Sequence, residues 1–438
     1  MQTELLFNPS DAISEIQFWT KNYYIGEDGG VVRSIEDGVK SKKTLFNDFG
    51  DYIPFFAFLK DYSFCQSQVA ALKNFRKKDY LLPSEFRYFG IACNRSYEHS
   101  DYLLGLLDLY EYHPDLISRN ELMQTLDNVY DAFFINGRPH SWSLSLWPHR
   151  IPLADTKDGI YVELFLDAAR ILNEKRYIQF AHKIAEFFLR ITQNGEMVSN
   201  VVPSNYFGRI ISPIFSSTYQ RSHLGVIKYN ISWWWSLLML YRVTSDVCWR
   251  TAIESHHRVF KQEMLRFDGA VQVGEYESGT LKKLKVLLVE NFPAIDFFVD
   301  CAWYLKDNEY LVTAKKIADF WLQYQNPETG LFPMVPGEFI DDIDNNTDIA
   351  VALFKLADVS RLDIYRHAAL RTVNGIWKFH RDEEQKLYVH QVDIRNGKHL
   401  GVGAKIKFVL LFLKLLILVS TNRSPIFDEE MWLLSRDR

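Results

Sequence analysis

The chain has 438 residues, of which 47% are hydrophobic and 15% aromatic, and its formal net charge is −5. This charge offers no electrostatic basis for binding nucleic acid or an anionic membrane surface. The four cysteines show no CxxC spacing, so they indicate neither a zinc site nor a disulfide framework. We expect them to be small buried apolar side chains in a reducing compartment.

The ends of the sequence give no sign of export or anchoring. The first residues have neither a basic start nor an apolar run of signal-peptide length. The most apolar segment, Phe408–Val419, is short for a bilayer, and Lys414 interrupts it while Lys407 flanks it. We therefore expect a cytoplasmic protein without a membrane span.

Amphipathic segments recur along the chain. In one of them, Tyr177, Ile184 and Phe188 recur at helical spacing, whereas Lys183 and Glu186 fall on the opposite face. Short polar turns, often Asn-Gly or Asp-Gly, follow these segments and lead into a few strand-like residues. The predicted amphipathic helices are 12–25, 62–77, 116–135, 174–193, 246–266, 309–325 and 362–380, and we expect His256 and His257 on the fifth to face solvent.

A second set of segments is apolar nearly all round, as a helix enclosed by neighbours should be. These helices are predicted to begin near Asp51, Asp101, Asp158, Asn230, Pro293, Asp348 and Gly403, at intervals of 50 to 72 residues. Such a period is typical of helical hairpins that stack into a closed ring. We predict an all-α fold, an (α/α)6 or (α/α)7 toroid with short β-hairpins on one face, in a single domain over residues 1–438.

The longest irregular stretches each connect an amphipathic helix to the apolar helix that follows it. They cover 136–157, 195–228, 268–290 and 381–402. Long loops in compact domains are often functional, and helix N-termini polarise nearby groups and favour anions. The pattern therefore places the expected site at the N-terminal ends of the inner helices.

This alternation, with hairpin-end phrases such as Asp319–Leu322 and Asn326–Phe332, resembles the six-hairpin glycosidase superfamily and its relatives. These include unsaturated glucuronyl hydrolases, N-acylglucosamine 2-epimerases and the helical domains of uronyl epimerases. The resemblance extends over nearly the whole chain and implies an α/α toroid and sugar chemistry. No motif singles out one family, so no catalytic residue is carried over from it.

Acidic residues recur where the inner helices start, among them Asp51, Asp101, Asp158 and Asp348. Asp commonly caps helices, so each of these residues also has a purely structural explanation. The functional interpretation is that several of them converge on the mouth of the ring. Paired carboxylates can protonate a glycosidic oxygen and activate water or attack the anomeric carbon. Asp101 and Asp158 head adjacent inner helices and form the predicted catalytic pair.

Two loops carry further candidate side chains. The first supplies His149 as a third catalytic group, because histidine transfers protons near neutral pH. Tryptophan faces can stack on sugar rings and arginine can hold a carboxylate, although all these side chains are also compatible with core or surface roles. The predicted substrate-binding residues are His140, Trp142, Trp147, Arg150, Tyr219 and Arg221, together with Asp51 and Asp348.

The segment Asp341–Asp348 alternates acidic and amide residues like half of a calcium loop, but it lacks the required glycine and terminal glutamate. Asp-rich helices also bind magnesium diphosphate in isoprenoid enzymes, some of which are helical toroids. We favour a substrate-facing cap over either metal site, and predict neither a metal nor a cofactor.

Together these features predict an enzyme that acts on an oligosaccharide or a uronic-acid-containing glycan by carboxylate and histidine acid–base chemistry. Glycoside hydrolysis is the first expectation, and a sugar epimerase or a polysaccharide lyase is the nearest alternative. An isoprenoid diphosphate enzyme and a noncatalytic scaffold remain open, as does the oligomeric state.

Overall fold

Two concentric rings of helices make up the fold. The structure is a computed structural model that describes residues 4–83, 86–88, 91–144, 150–192, 201–210, 226–277, 280–401 and 403–421. Within these residues, seven outer helices alternate along the chain with seven inner helices. The predicted all-α toroid of helical hairpins is therefore confirmed.

The odd-numbered helices form the outer ring. They are α1 Pro9–Tyr23, α3 Tyr62–Phe75, α5 Arg119–Phe133, α7 Arg176–Ile191, α9 Val247–Glu263, α11 Asn308–Leu322 and α13 Asp363–Gly375. The even-numbered helices form the inner ring. They are α2 Ile53–Phe58, α4 Tyr97–Tyr112, α6 Ile160–Leu172, α8 Val226–Thr244, α10 Leu288–Leu305, α12 Ile343–Ser360 and α14 Ile406–Thr421.

The strands are short and antiparallel, and all of them lie between an outer helix and the next inner helix. They therefore gather on one face of the ring, as the sequence predicts. They are β1 Ser34–Glu36, β2 Val39–Lys40, β3 Phe86–Tyr88, β4 Ile91–Arg95, β5 Phe134–Ile135, β6 Arg138–Pro139, β7 Trp142–Leu144, β8 Arg150–Ile151, β9 Leu153–Asp155, β10 Val201–Pro203, β11 Gln272–Glu277, β12 Thr280–Val286, β13 Arg381–Asp382, β14 Leu387–Tyr388, β15 Val392–Asp393, β16 Lys398–His399 and β17 Gly403–Lys405.

The spacing of apolar side chains explains which helices lie in the outer ring and which lie in the inner ring. In α7 the stripe that includes Tyr177, Ile184 and Phe188 is buried, whereas Lys183 and Glu186 are exposed. In α14 the apolar side chains surround the helix, and even Lys414 is only 2% exposed. An outer helix thus buries one face against the inner ring, and an inner helix is enclosed on all sides.

Glycine permits the tight turns that follow outer helices. Gly330, in the turn after α11, has a φ of 74°, and a Cβ at this position would lie 2.4 Å from the carbonyl oxygen of Arg371 on α13. No other residue type can combine the left-handed backbone with so close an approach. The turn therefore packs one repeat directly against the outer helix of the next.

The two ends of the chain close the ring. Strand β1 pairs with β17, with Ser34 opposite Lys405. Helix α14 packs against both α1 and α12 and also contacts the 3₁₀ turn Phe46–Asp51 that precedes α2. The seventh hairpin therefore lies beside the first.

A buried asparagine marks equivalent positions in two repeats. The Asn291 side chain accepts a hydrogen bond from the backbone N–H of Val271 (2.9 Å) and donates one to its carbonyl oxygen (3.0 Å). Asn346 makes the same pair of bonds with Phe332, at 2.8 and 3.0 Å. Each amide satisfies both backbone groups of one residue in the preceding turn, which fixes the depth at which α10 and α12 enter the ring.

A buried network of ion pairs and hydrogen bonds connects the inner helices of these repeats. Lys355 of α12 is fully buried and forms ion pairs with Asp296 and, at 2.9 Å, with Asp300 of α10. The indole N–H of Trp235 on α8 donates to Asp300 at 2.8 Å. Burial alone would lower the pKa of Lys355, but the two carboxylates raise it above its ordinary value. The lysine is therefore charged and joins three consecutive inner helices.

Two expectations about individual residues are wrong. His256 and His257 are 1% and 5% exposed, although they lie on an outer helix. His256 stacks on Trp234, and His257 is 2.8 Å from the Thr313 hydroxyl of α11, so they fill the contact between outer and inner rings. Cys248 is exposed, whereas Cys65 and Cys301 are buried as expected.

No helix among the described residues combines the length and the apolarity that crossing a bilayer requires. The segment Phe408–Val419 belongs to the inner helix α14.

The buried network predicts an asymmetric response to substitution. Lys355→Met should lower the free energy of unfolding by about 3–5 kcal/mol, because it leaves two buried carboxylates without a counter-charge. The triple variant Lys355→Met, Asp296→Asn, Asp300→Asn should recover part of this loss, since its amides retain hydrogen bonding without charge. Urea denaturation monitored by circular dichroism measures both values. A single variant as stable as the wild type would contradict the charged network.

Candidate active site

The N-terminal ends of the inner helices open on the face that carries the strands. Two of these helices are preceded by 3₁₀ turns, Phe46–Asp51 before α2 and Thr156–Gly159 before α6. Backbone N–H groups of helix first turns are not used within the helix, so this face is suited to polar side chains and ligands. We call it the mouth of the ring.

Three carboxylates meet a lysine at the mouth. Asp48 and Asp51 come from the turn before α2, and Asp101 from the first turns of α4; each offers an oxygen within 4.8 Å of those of the other two. The Lys407 Nζ atom, from the first turn of α14, lies 3.1 Å from Asp48 Oδ1 and 2.7 Å from Asp51 Oδ2. We refer to these four residues as the carboxylate–lysine cluster.

The members of the cluster differ in protonation. Burial and, next, the charge of Asp51 raise the pKa of Asp101 to about 7, against the opposing effects of Lys407 and Lys157. Burial would also raise the pKa of Asp48, but Lys407, with Arg33 and Lys157, holds it below its ordinary value. Asp101 is therefore the carboxylate that exchanges a proton near neutral pH, while Asp48 stays ionised.

Lys407 stays charged within the cluster. Burial alone would lower the pKa of its ammonium group, but Asp48, Asp51 and Asp101 raise it well above its ordinary value. The cluster could offer oxygen ligands to a divalent cation, and such an ion would have to displace the Lys407 ammonium group from Asp48 and Asp51.

Cations also flank an aromatic ring beside the cluster. The Arg95 guanidinium carbon lies 3.9 Å from the centre of the Tyr97 ring, and the Lys157 Nζ atom lies 5.0 Å from it. Arg95 Nε is also 3.6 Å from a carboxylate oxygen of Glu98. The start of α4 thus presents an aromatic ring and two positive charges close to Asp101.

Asp158 is in a different environment from Asp101. It is fully buried, and its carboxylate accepts hydrogen bonds from the hydroxyls of Ser96 and Ser141 and from the backbone N–H of Asp155, the last at 3.0 Å. Burial and, next, Asp155 raise the pKa of Asp158 to about 7, while the two serine bonds act in the opposite direction. These bonds tie the start of α6 to Ser96 before α4, to Ser141 before β7 and to Asp155 at the end of β9.

Two neighbouring aspartates at the start of α12 each bind a histidine. Asp341 is fully buried, accepts a 2.7 Å bond from the backbone N–H of Val392, and lies 2.7 Å from Nε2 of the equally buried His380. Burial would lower the pKa of His380, but Asp341 raises it above its ordinary value. This pair is enclosed in the core and fastens the segment that carries β13 and β14 to α12.

The second histidine–aspartate pair, His390 and Asp342, is less deeply buried than the first. Asp342 caps α12 by accepting a 2.9 Å bond from the backbone N–H of Asp344, and its Oδ2 lies 2.9 Å from His390 Nε2. About a fifth of the His390 side chain is exposed. Its ring stacks on Phe408, the residue after Lys407 in the first turn of α14. The His390–Asp342 pair and the carboxylate–lysine cluster therefore contact consecutive residues of one helix.

The other predicted site residues fall into three groups. His140 is buried with Nδ1 at 2.9 Å from the carbonyl oxygen of Arg138, and Asp348 is buried in α12. The backbone places Trp142 in β7 and Arg150 in β8, and their side chains lie outside the described part of the structure. The remaining predicted residues also lie outside the described residues: Trp147, His149, Tyr219 and Arg221.

Sequence reasoning missed Lys407 and His390. Lys407 carried a usable signal, because a lysine in a helix first turn opposes the helix dipole and stands out among inner helices that begin with acids. His390 carried no comparable signal, since its partner Asp342 is 48 residues away and is one of several acids in its segment.

No protein-family model matches the sequence, and no curated protein matches it. The fold, however, is similar to that of several solved structures. A D-mannose isomerase has a TM-score of 0.55 at 11% identity, over 95% of this chain and 97% of that chain. Cellobiose 2-epimerase from Bacillus thermoamylovorans has a TM-score of 0.54 at 10% identity, over 93% and 98%. The GH76 α-mannanase from Bacteroides thetaiotaomicron has a TM-score of 0.52 at 13% identity, over 96% and 98%.

The fold is therefore an α/α toroid like the folds of these three structures. This agrees with the resemblance noted in the sequence and covers nearly the full length of the chain. At 10–13% identity the likeness concerns the arrangement of helices and transfers no residue.

The contrast between Asp158 and Asp101 predicts different effects of their removal on stability. At pH 6, Asp158→Ala should lower the free energy of unfolding by about 2–4 kcal/mol, because two hydroxyls and one backbone N–H lose their buried acceptor. Asp101→Ala should not lower it, since Asp48 and Asp51 retain the ion pairs with Lys407 and the variant lacks the carboxyl group whose ionisation opposes folding. Chemical denaturation of the two variants beside the wild type provides the comparison. Equal losses would mean that both aspartates are structural.

Proposed function

We propose that the protein is a carbohydrate-active enzyme whose acid–base chemistry takes place at the mouth of the ring. The observation that carries this proposal is the carboxylate–lysine cluster. It holds one protonatable carboxyl group, Asp101, beside Asp48, whose pKa Lys407 lowers, and Asp51, which forms an ion pair with Lys407. The similarity in fold to a mannose isomerase, a cellobiose epimerase and a mannanase supports a saccharide as the substrate.

Asp101 is the proposed general acid. A catalytic acid works best when its pKa is near the working pH, and the pKa of Asp101 is about 7. Asp101 is partly exposed, so a sugar oxygen can reach it. Asp51 and Asp48 would keep the proton on Asp101 through their negative charge, and Lys407 would limit the repulsion within the cluster.

The His390–Asp342 pair is the proposed second acid–base group. Asp342 orients the imidazole, leaving the ring partly exposed beside Phe408. Tyr97, with Arg95 and Lys157, offers a surface for the substrate, where the ring would pack on a sugar face and the cations would attract a carboxylate. The sequence-based roles of His149, Arg150, Trp142, Trp147, Tyr219 and Arg221 remain part of the proposal as substrate-contacting groups. Asp158 enters it as the residue that positions the start of α6.

The spacing within the cluster bears on the reaction type. One oxygen of each carboxylate lies within 4.8 Å of one oxygen of the other two, well short of the roughly 6.5–9.5 Å that separates the two carboxyl groups of inverting glycosidases. So close a group favours one shared proton over two independent carboxylates. A carboxyl acid together with a histidine base suits proton transfer on the sugar itself, as in an isomerase or epimerase. Glycoside hydrolysis is the second candidate, supported by the general suitability of carboxylates for that reaction.

Loss of the acid should strongly reduce turnover without unfolding the protein. Asp101→Asn is expected to lower kcat about 100-fold or more, the usual contribution of a positioned general acid. In the wild type, kcat should fall as the pH rises through about 7, where Asp101 loses its proton, and the residual activity of the variant should lack this limb. Steady-state rates on a saccharide panel between pH 5 and 9 give both results. Full activity of Asp101→Asn would remove the cluster from the mechanism.

The same substitution should make the folded state more stable in alkali. The folded-state pKa of Asp101 is raised above that of the unfolded chain, so its ionisation opposes folding progressively from about pH 4 to 7, and the effect is complete above pH 7. Asp101→Asn removes this penalty, and its midpoint of thermal unfolding should exceed that of the wild type at pH 8 but not at pH 4. A uniform shift at both pH values would point to packing instead of charge.

The two histidine–aspartate pairs provide a matched test of the base. His390→Gln should reduce kcat by about 100-fold or more and leave the unfolding midpoint nearly unchanged. His380→Gln should instead destabilise the fold, because the buried Asp341 loses its partner. Turnover in D₂O separates the reaction types: an isomerase or epimerase incorporates deuterium into the sugar carbon skeleton, whereas a hydrolase releases a new reducing end. Normal turnover by His390→Gln would remove this residue from catalysis.

A further inference from the structure

The imidazole of His390 has a single polar contact with the side chains of the described residues. Its Nε2 atom is buried and lies 2.9 Å from Asp342 Oδ2. Its Nδ1 atom forms no hydrogen bond with a described residue, and about a fifth of the side chain is exposed. Nδ1 is therefore the ring nitrogen that a substrate can reach.

The backbone of His390 is held from two sides. Its N–H donates to the carbonyl oxygen of Gly403 in β17 at 2.9 Å, and its own carbonyl oxygen accepts a 3.2 Å bond from the N–H of Ile343, the first residue of α12. These bonds place His390 between the start of α12 and the strand that leads into α14. Only the torsions of the side chain then remain to be set.

The contact with Asp342 fixes one atom of the ring but not the plane of the ring. The outer torsion of a histidine side chain, χ2, has broad energy minima, so an imidazole held at Nε2 can still turn and swing Nδ1 through an arc. A group that transfers a proton needs a fixed position, since a displacement of about 1 Å can lower a rate about 100-fold. A second contact is therefore needed to hold Nδ1 in one direction.

Phe408 provides this second contact. Its ring stacks on the imidazole, with the ring centres 5.2 Å apart and an angle of 24° between the planes. If the imidazole turned, one edge of it would move into the Phe408 ring and the other edge would lose contact. The Lys405 Nζ atom lies 5.1 Å from the centre of the Phe408 ring, and the ion pairs of the adjacent Lys407 hold this turn of α14 in place.

We propose that Phe408 is a positioning residue for the base, holding the imidazole of His390 so that Nε2 faces Asp342 and Nδ1 faces the mouth. This inference rests on the proposed function, because His390 is the base only in that proposal. Phe408 contacts no reacting atom and acts through His390. Because Lys407 and Phe408 are consecutive, the first turn of α14 then serves both proposed acid–base groups.

Kinetics of matched substitutions test this role. Phe408→Leu keeps the apolar bulk but removes the flat face, so it should lower kcat about tenfold or more and change KM less than about twofold. Phe408→Tyr keeps the flat face and should retain kcat within about threefold. The control is Phe412→Leu, one turn further along α14, where the ring packs against Tyr388. It should lower the midpoint of thermal unfolding and leave kcat unchanged. A wild-type kcat in Phe408→Leu would overturn the proposal.

A double-mutant cycle shows whether Phe408 acts through His390. If it does, adding Phe408→Leu to His390→Gln should lower the residual kcat by less than about twofold, because the group that Phe408 positions is already absent. A double variant whose loss equals the product of the two single losses would show that Phe408 contributes independently of His390. That result would contradict the positioning role.

Nitrogen NMR of protein labelled at histidine tests the positioning without turnover. At a pH where the imidazole is neutral, the His390 signals, identified by their absence in His390→Gln, should show a single tautomer with the proton on Nε2. Phe408→Leu should shift both nitrogen signals towards intermediate values, because a ring that turns samples both tautomers. Unchanged signals would overturn the positioning role and leave His390 as the proposed base. The expected shifts in a protein that turns over no saccharide would support the positioning of the ring and count against the proposed function.

Discussion

The Lys407 ammonium group joins the two ends of the toroid at the place where the active site is proposed. It extends from the first turn of the last inner helix to Asp48 and Asp51, which precede the first inner helix. Strand β17, immediately before α14, pairs with β1 on the same side. A closed ring of hairpins needs a contact between its first and last repeats, because every other repeat already has two neighbours. Here that contact is made by charges as well as by backbone, so ring closure and the chemistry of the mouth depend on the same ion pairs.

The two lysine-centred networks of the inner ring behave differently because their charge balance and exposure differ. Lys355 is fully buried with two carboxylates, and the indole of Trp235 completes the coordination of one of them. Such a site has little freedom to change its protonation and serves to fix three inner helices in register. The mouth cluster has three carboxylates, and both Lys407 and Asp101 are partly exposed. An excess carboxylate near water is the condition under which one group retains a proton near pH 7. Stability therefore resides in the depth of the ring, whereas the chemistry that we propose takes place at its entrance.

The repeat was predictable from the sequence because helical periodicity is local. The stripe in α7, the acids or asparagines near inner-helix starts, and the glycine turns all lie within a single hairpin, and each gave the correct element within a few residues. Pro293 shows how accurately local sequence patterns can predict where a helix begins. The sequence pattern predicts a helix that begins near this proline, but α10 begins at Leu288 and contains the proline in its second turn. His256 and His257 show another limit, since their burial depends on Trp234 and on Thr313 in a neighbouring repeat. The carboxylate–lysine cluster needs residues 48, 51, 101 and 407 together, and no local pattern relates the ends of a chain before the ring has closed.

Asp341 and Asp342 illustrate why residue type alone could not identify the site. They are adjacent in sequence, both bind a histidine, and both lie at the start of α12. The alternation along the chain directs one carboxylate into the core, where His380 and the backbone of Val392 enclose it. The other carboxylate caps the helix, is itself largely buried, and pairs with an imidazole that is partly exposed. The same type of pair is therefore a buried structural contact for His380 and Asp341, whereas for His390 and Asp342 it is the proposed acid–base group. The difference is burial, which is set by the ring as a whole and by the segment 381–405 that covers the start of α12. The proposed function therefore depends on which polar pairs the strand-bearing face leaves in contact with water.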